Sequence, residues 1–239
     1  MYTLVRGGFL GLALLLPVFG QAGHYEGKLA LPNREIQLTL DLDKTDKGWI
    51  GSVSLTPGPS GLTVDKITID AENIAWAIAM PNAPSFKGKL DSGTNTMKGS
   101  LTSPAGDLPV ELKRTGEAKV SVPKESTPLS PKALGSWTAV LQPPGGPQLH
   151  LTMELANSAP GGKASAKIVS VDQSPDSIPI ASIVQTGNTI DIDMRMIGGR
   201  YSGTLSEDGN GIDGTLTQNG ANIPLKFTRP KQAQPAAKP

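Results

Sequence analysis

The sequence predicts an all-β protein made of two tandem antiparallel up-and-down barrels, each small and built from about eight strands. Three observations carry that expectation. Apolar residues recur at every second position: in "IQLTLDL", Ile36, Leu38, Leu40 and Leu42 share one face while Gln37, Thr39 and Asp41 share the other. Turn formers are dense, with 28 Gly and 21 Pro making about a fifth of the 239 residues, where average usage is nearer an eighth. Finally, the chain repeats itself. "FKGKLDSGTNTMKGSLTSPAGDLPVELKR" (Phe86 to Arg114) returns as "YSGTLSEDGNGIDGTLTQNGANIPLKFTR" (Tyr201 to Arg229), offset by 115 positions at both ends (201 less 86, 229 less 114).

Taken in order, residues 1–22 read as a secretory signal peptide. Arg6 supplies a basic start, "GGFLGLALLLPVFG" an apolar stretch short for a membrane span, and Gly20 and Ala22 the small residues of a cleavage site. This predicts a periplasmic or secreted protein with no membrane span after cleavage. Module 1 covers 23–115, with strands expected near Tyr25–Ala30, Glu35–Asp43, Trp49–Leu55, Thr63–Asp70, Asn73–Ala79, Ser85–Leu90, Thr96–Thr102 and Leu108–Arg114. Residues 116–134, "GEAKVSVPKESTPLSPKAL", form a Pro-rich linker expected to be extended and to bury little. Module 2 covers 135–229 and repeats the first: "GSWTAVL" answers "GHYEGKL", "LHLTMEL" answers "IQLTLDL", "IPIASI" answers "LTVDKI" and "TIDIDM" answers "NIAWAI". The tail 230–239 lacks a strand pattern and is expected to be disordered.

Gly88, Gly99, Gly203 and Gly214 fall in mid-strand, where glycine marks a sharp bend or a close approach of backbone in small barrels. Pro109 and Pro224 open the last strand of each copy, a position that tolerates a missing N–H.

Two resemblances follow from particular residues. Each copy opens with Gly-x-aromatic (Gly23-His24-Tyr25, Gly135-Ser136-Trp137) and closes with an arginine (Arg114, Arg229). This resembles the Gly-x-Trp and late Arg of lipocalin-like (calycin) barrels. The resemblance implies that Tyr25 and Arg114, and Trp137 and Arg229, close the barrel base by ring and guanidinium contact. The first copy departs from the pattern by using Tyr. "LGSWTAVL", "VDQSPDSIPIASI", "GGRYSGTLSEDG" and "GTLTQNGANIPLKFTR" are similar to the β-rich module found ahead of alpha/beta-hydrolase domains in secreted bacterial proteins. That likeness implies an accessory role and transfers no catalytic residue.

The residue inventory gives catalysis little to work with. There is no Cys and there are two His, His24 and His150; no Gly-x-Ser-x-Gly elbow occurs. The carboxylate pairs Asp41/Asp43 and Asp191/Asp193 alternate with apolar residues and so point outward, and Glu207/Asp208 sits in a turn. All are expected to be solvated. "DSGTN" and "EDGNGID" lie at hairpin positions and lack the ligand alternation of a calcium loop. No cofactor or metal is expected. With 22 basic and 21 acidic residues, the chain has no charge excess to attract nucleic acid.

The inward phase of Trp76 and Phe86 in the first copy, and of Met194 and Tyr201 in the second, makes these the candidate ligand lining. The expected function is non-catalytic binding of a small apolar ligand or a protein partner. Two alternatives stand beside it: an accessory or envelope scaffold associated with a separate secreted hydrolase, and an enzyme with an unrecognised site.

Overall fold

The computed structural model describes residues 21–230 except 32, 33, 81, 82, 105, 160 and 219. The expected signal peptide, but for Gln21 and Ala22, and the expected tail, but for Pro230, lie outside the described residues.

The chain is all-β. β1 (Gly23–Leu31), β2 (Arg34–Thr45), β3 (Gly48–Thr56), β4 (Leu62–Asp70), β5 (Asn73–Ile78), β6 (Ser85–Asp91), β7 (Thr96–Ser103) and β8 (Gly106–Gly116) form a closed antiparallel meander. β8 pairs back onto β1, with Tyr25 opposite Arg114. All eight strands expected in this copy are present. Alternation places Leu38, Leu40, Ile74, Trp76 and Leu112 inside one core.

The second unit has nine strands: β9 (Gly135–Leu141), β10 (Leu149–Asn157), β11 (Ala164–Ser170), β12 (Ser177–Ile178), β13 (Ser182–Thr186), β14 (Thr189–Met194), β15 (Gly199–Leu205), β16 (Gly211–Gln218) and β17 (Ala221–Thr228). They make one curled sheet in which β17 returns to β9, and β12 and β13 are its two edges. The strand expected from "IPIASI" is broken. Ile178 stays with β11, Ser182 and Ile183 go to β14, and Pro179 lies between. Proline has no N–H for a ladder, which suits it to a break or an edge and not to a central strand. In the first barrel the equivalent β4 stays continuous and instead carries a register shift between Asp65 and Thr68.

The mid-strand glycines explain why the two copies share a spelling. Gly88 faces Gly99 across β6 and β7, and Gly203 faces Gly214 across β15 and β16. The ring two residues earlier fills each gap. A Cβ on Gly88 or Gly99 would lie 2.6 or 2.7 Å from Phe86 Cζ, and one on Gly203 or Gly214 would lie 2.7 or 2.8 Å from Tyr201 Cζ. Side-chain-free backbone here makes a flat bay for an aromatic ring.

The expectation that residues 116–134 bury little is corrected. Leu129 and Ala133 belong to the second core, at 4% and 0% exposure. Thr127 lies across the gap between the two edge regions: its N–H donates to the Ile183 carbonyl (2.9 Å) and its carbonyl accepts from the Ala164 N–H (3.3 Å). The Asn157 side chain pairs with both backbone groups of Leu129, at 2.9 and 3.0 Å, and Gln185 accepts from the Ser130 N–H at 2.7 Å. Residues 126–133 are thus a strap that closes the second barrel. Further upstream, the Lys119 N–H donates to Asp41 and the Ser121 N–H to Ser52, so the same segment covers the outside of β2 and β3.

The 3-10 turn Arg195–Ile197 touches both units. Arg195 is paired with Asp193 and donates to the carbonyls of Gly61 and Ser121. Met196 packs on the core of the first barrel.

Truncating Leu129 to Ala in the full chain should cost about 2–4 kcal/mol, as expected for a buried leucine. Urea unfolding of a chain in which Trp49 and Trp76 are replaced by Phe, so that emission reports Trp137, measures it. A fragment starting at Leu134 should unfold at lower urea than one starting at Lys124, because only the latter keeps the strap.

Candidate functional site

At the base of the second barrel the Arg229 guanidinium lies 3.7 Å from the centre of the Trp137 ring. The same guanidinium donates to the Lys132 and Leu134 carbonyls, at 2.7 and 2.9 Å, and Trp137 Nε1 donates to Ala133 at 2.9 Å. Ring, guanidinium and strap form one plug. The first barrel uses the same register with a different outcome. Arg114 Nε donates to the Ala22 carbonyl (2.9 Å) and the Tyr25 hydroxyl to the Gln21 carbonyl (2.8 Å). Burial pushes the Tyr25 hydroxyl pKa up, and the positive charge of Arg114 partly offsets it. Of the two plugs, the stacked guanidinium occurs at Trp137.

The interiors differ. In the first barrel Trp76 stacks on Phe86, with ring centres 5.3 Å apart and planes 17° from parallel. Both rings are fully buried among core side chains. In the second barrel Ile192 stands opposite Tyr201 as Trp76 stands opposite Phe86. Space is left there. A cavity of about 240 Å³ occupies the end of the barrel away from Trp137, lined by Leu151, Ile168, Ile178, Met194, Tyr201 and Phe227 among others. The candidate lining is therefore split. Met194 and Tyr201 do line a cavity, whereas Trp76 and Phe86 pack against each other.

Tyr201 is fixed in that wall. Its hydroxyl donates toward the carbonyls of Ile212 (3.1 Å) and Leu225 (3.2 Å), and its ring meets Phe227 edge-on at 5.3 Å. Burial, with a smaller contribution from Asp213, pushes its pKa far above the ordinary tyrosine value, so it stays a neutral donor. The mouth adds polar groups from Gln173, Gln218 and Ser170.

The titratable groups singled out in the sequence lie elsewhere. His150 is outside the sheet and bonds Asp172 through its ring, at 3.1 Å, and through its backbone N–H. His24 sits between Asp41 (2.8 Å) and Glu26 (3.1 Å). Asp41 does lie on the outer face, but the expectation that it is solvated is corrected: the linker covers it to 7% exposure. Asp191 and Asp193 are likewise outward, and each is paired with an arginine, Arg200 and Arg195. Asp91 accepts from the backbone N–H groups of Thr94 and Gly93, and Asp208 from the Ser206 hydroxyl and then the Asn210 N–H; these bonds within their own turns lower both pKa values and fit the hairpin reading of those loops. Among the described residues no group of three or more His, Asp or Glu converges on a metal position. No helix among them is long and apolar enough to cross a membrane.

Sequence reasoning missed the strap and Ser170. Periodicity reports neither a docked irregular segment nor one hydroxyl on an inward face. Comparison with known proteins adds little. No protein-family model matches the chain, and no curated protein matches it. A solved structure of a protein of unknown function from the DUF3598 family of Nostoc punctiforme is similar at 10% identity over 87% of this chain and 95% of that one, with a TM-score of 0.24.

Replacing Trp137 by Ala should cost about 3–5 kcal/mol, the range for a buried aromatic, with chemical unfolding as the measurement. His24 gives a pH signature. Its hydrogen bond to Asp41 raises its pKa above 6.5 despite some burial. The raised value means that the fold gains from protonated His24. That gain is fully present below the unfolded-state value and is lost as pH rises through the folded-state value. The stability difference between the parent and His24→Gln should therefore be full below about pH 6.5, the ordinary histidine value, and shrink as pH rises from there through the raised folded-state value.

Proposed function

We propose that this chain is a non-catalytic binding protein whose second barrel takes a small apolar ligand. The cavity of about 240 Å³ carries the reading. It exceeds the roughly 150 Å³ of a dry engineered cavity that admits benzene, and approaches the roughly 300 Å³ at which ligand pockets begin. One ring, or the end of an alkyl chain, fits that size. The wall is mostly leucine and isoleucine with two aromatic rings, held by a barrel whose opposite end is plugged by Trp137, Arg229 and the strap. Such a wall offers burial and no activated nucleophile or base. The leader-like pattern of residues 1–22 supports placing this binding activity in a periplasm or outside the cell.

4-(Dimethylamino)benzonitrile, a neutral dye with one ring, should bind the full chain saturably at one site with a rise in emission. Ile178 lines the cavity and is half-buried, so Ile178→Trp should fill the space and weaken the dye at least tenfold. Emission that grows without saturating, or that ignores Ile178→Trp, would defeat the cavity reading.

A further inference from the structure

We propose that the ligand carries an uncharged hydrogen-bonding group (an alcohol, ester or amide) beside its apolar body, and that Ser170 is the residue that binds this group. The inference rests on the cavity being the binding site. Three observations support it.

The first is an orphaned hydroxyl. Ser170 is 7% exposed, and its Oγ is shielded from water with no hydrogen-bond partner. Ser170 follows Ile168 by two positions on β11, so both share the inward face, and it stands opposite Leu151; all three line the cavity. A buried hydroxyl without a partner is disfavoured, and a turn of the serine side chain about χ1 toward the cavity would bring it to a ligand atom that satisfies it.

The second is the other copy. Leu151 of "LHLTMEL" answers Leu38 of "IQLTLDL". Leu38 stands opposite Leu55, just as Leu151 stands opposite Ser170. Leu55 packs on the core of the first barrel. The first barrel keeps leucine at this place, and the barrel with the cavity has a hydroxyl there.

The third is the charge of the lining. No charged side chain lines the cavity among the described residues. An ionised carboxylate or ammonium entering it would leave water without a counter-charge, which strongly disfavours both. The remaining polar groups are neutral. Tyr201 is already engaged with two carbonyls, and Gln218 donates to the Ile197 carbonyl at 2.9 Å. Serine can both donate and accept, so it suits an alcohol, an ester or an amide.

The test uses four probes of one shape: toluene, benzyl alcohol, benzoate and benzylammonium. Each is titrated into the full chain at about pH 7.5, where the last two are charged, and followed through the methyl resonance of Met194. Toluene and benzyl alcohol should bind, and benzoate and benzylammonium should bind at least tenfold more weakly than the alcohol. Ser170→Ala should weaken benzyl alcohol about fivefold, the loss expected for one hydrogen bond, and leave toluene unchanged; the toluene result also shows that the variant is folded. Benzoate binding as well as the alcohol would overturn the inference. So would an alcohol affinity indifferent to Ser170→Ala while toluene still binds, and in that case the cavity reading survives. Failure of toluene to bind the parent chain would remove both.

Discussion

The second half of this protein is organised around one backbone constraint, the break at Pro179. The first barrel carries its fourth strand unbroken from β3 to β5 and so closes by its own ladder. At the equivalent place in the second unit the strand parts, and half goes to each side. That leaves two edges with unpaired N–H and C=O groups, which proteins must pair or cover. The cover comes from the segment just upstream of the barrel. Thr127 bonds both sides, and Leu129 and Ala133 fill the base. Ile178 and Met194, on either side of the break, then border the cavity at the other end.

Divergence between the copies acts on side-chain volume as well as on the fourth strand. Both keep facing glycines and lay a ring across them. The first barrel adds Trp76 against that ring, and both rings are fully buried. The second has Ile192 in the equivalent register position, and the edge-on pair of Tyr201 and Phe227 leaves a void on one side.

Strand positions were legible because a half-buried strand imposes its period of two on every residue. The expected Asn73–Ala79, for instance, is observed as Asn73–Ile78. The barrel plug was legible from two residues, Trp137 and Arg229, through their resemblance to the Gly-x-Trp and late Arg of lipocalin-like barrels. The strap was not. Its Pro, Ser and Lys content is that of a solvated linker, and what holds it comes from Asn157 and Gln185, far away in sequence. The covering of Asp41 was hidden for the same reason, since the N–H that covers it belongs to Lys119. Ser170 becomes visible only when the two copies are aligned by strand register, because serine on an apolar face is otherwise unremarked by hydrophobic periodicity.

The turn at Arg195–Ile197 has two faces with different duties. Met194 and Ile197 belong to the cavity wall, while Arg195 and Met196 hold the first barrel through Gly61, Ser121 and its core. Four consecutive residues therefore belong both to the cavity wall and to the contact with the first barrel, so a substitution made on one face of this turn falls on backbone that the other face shares.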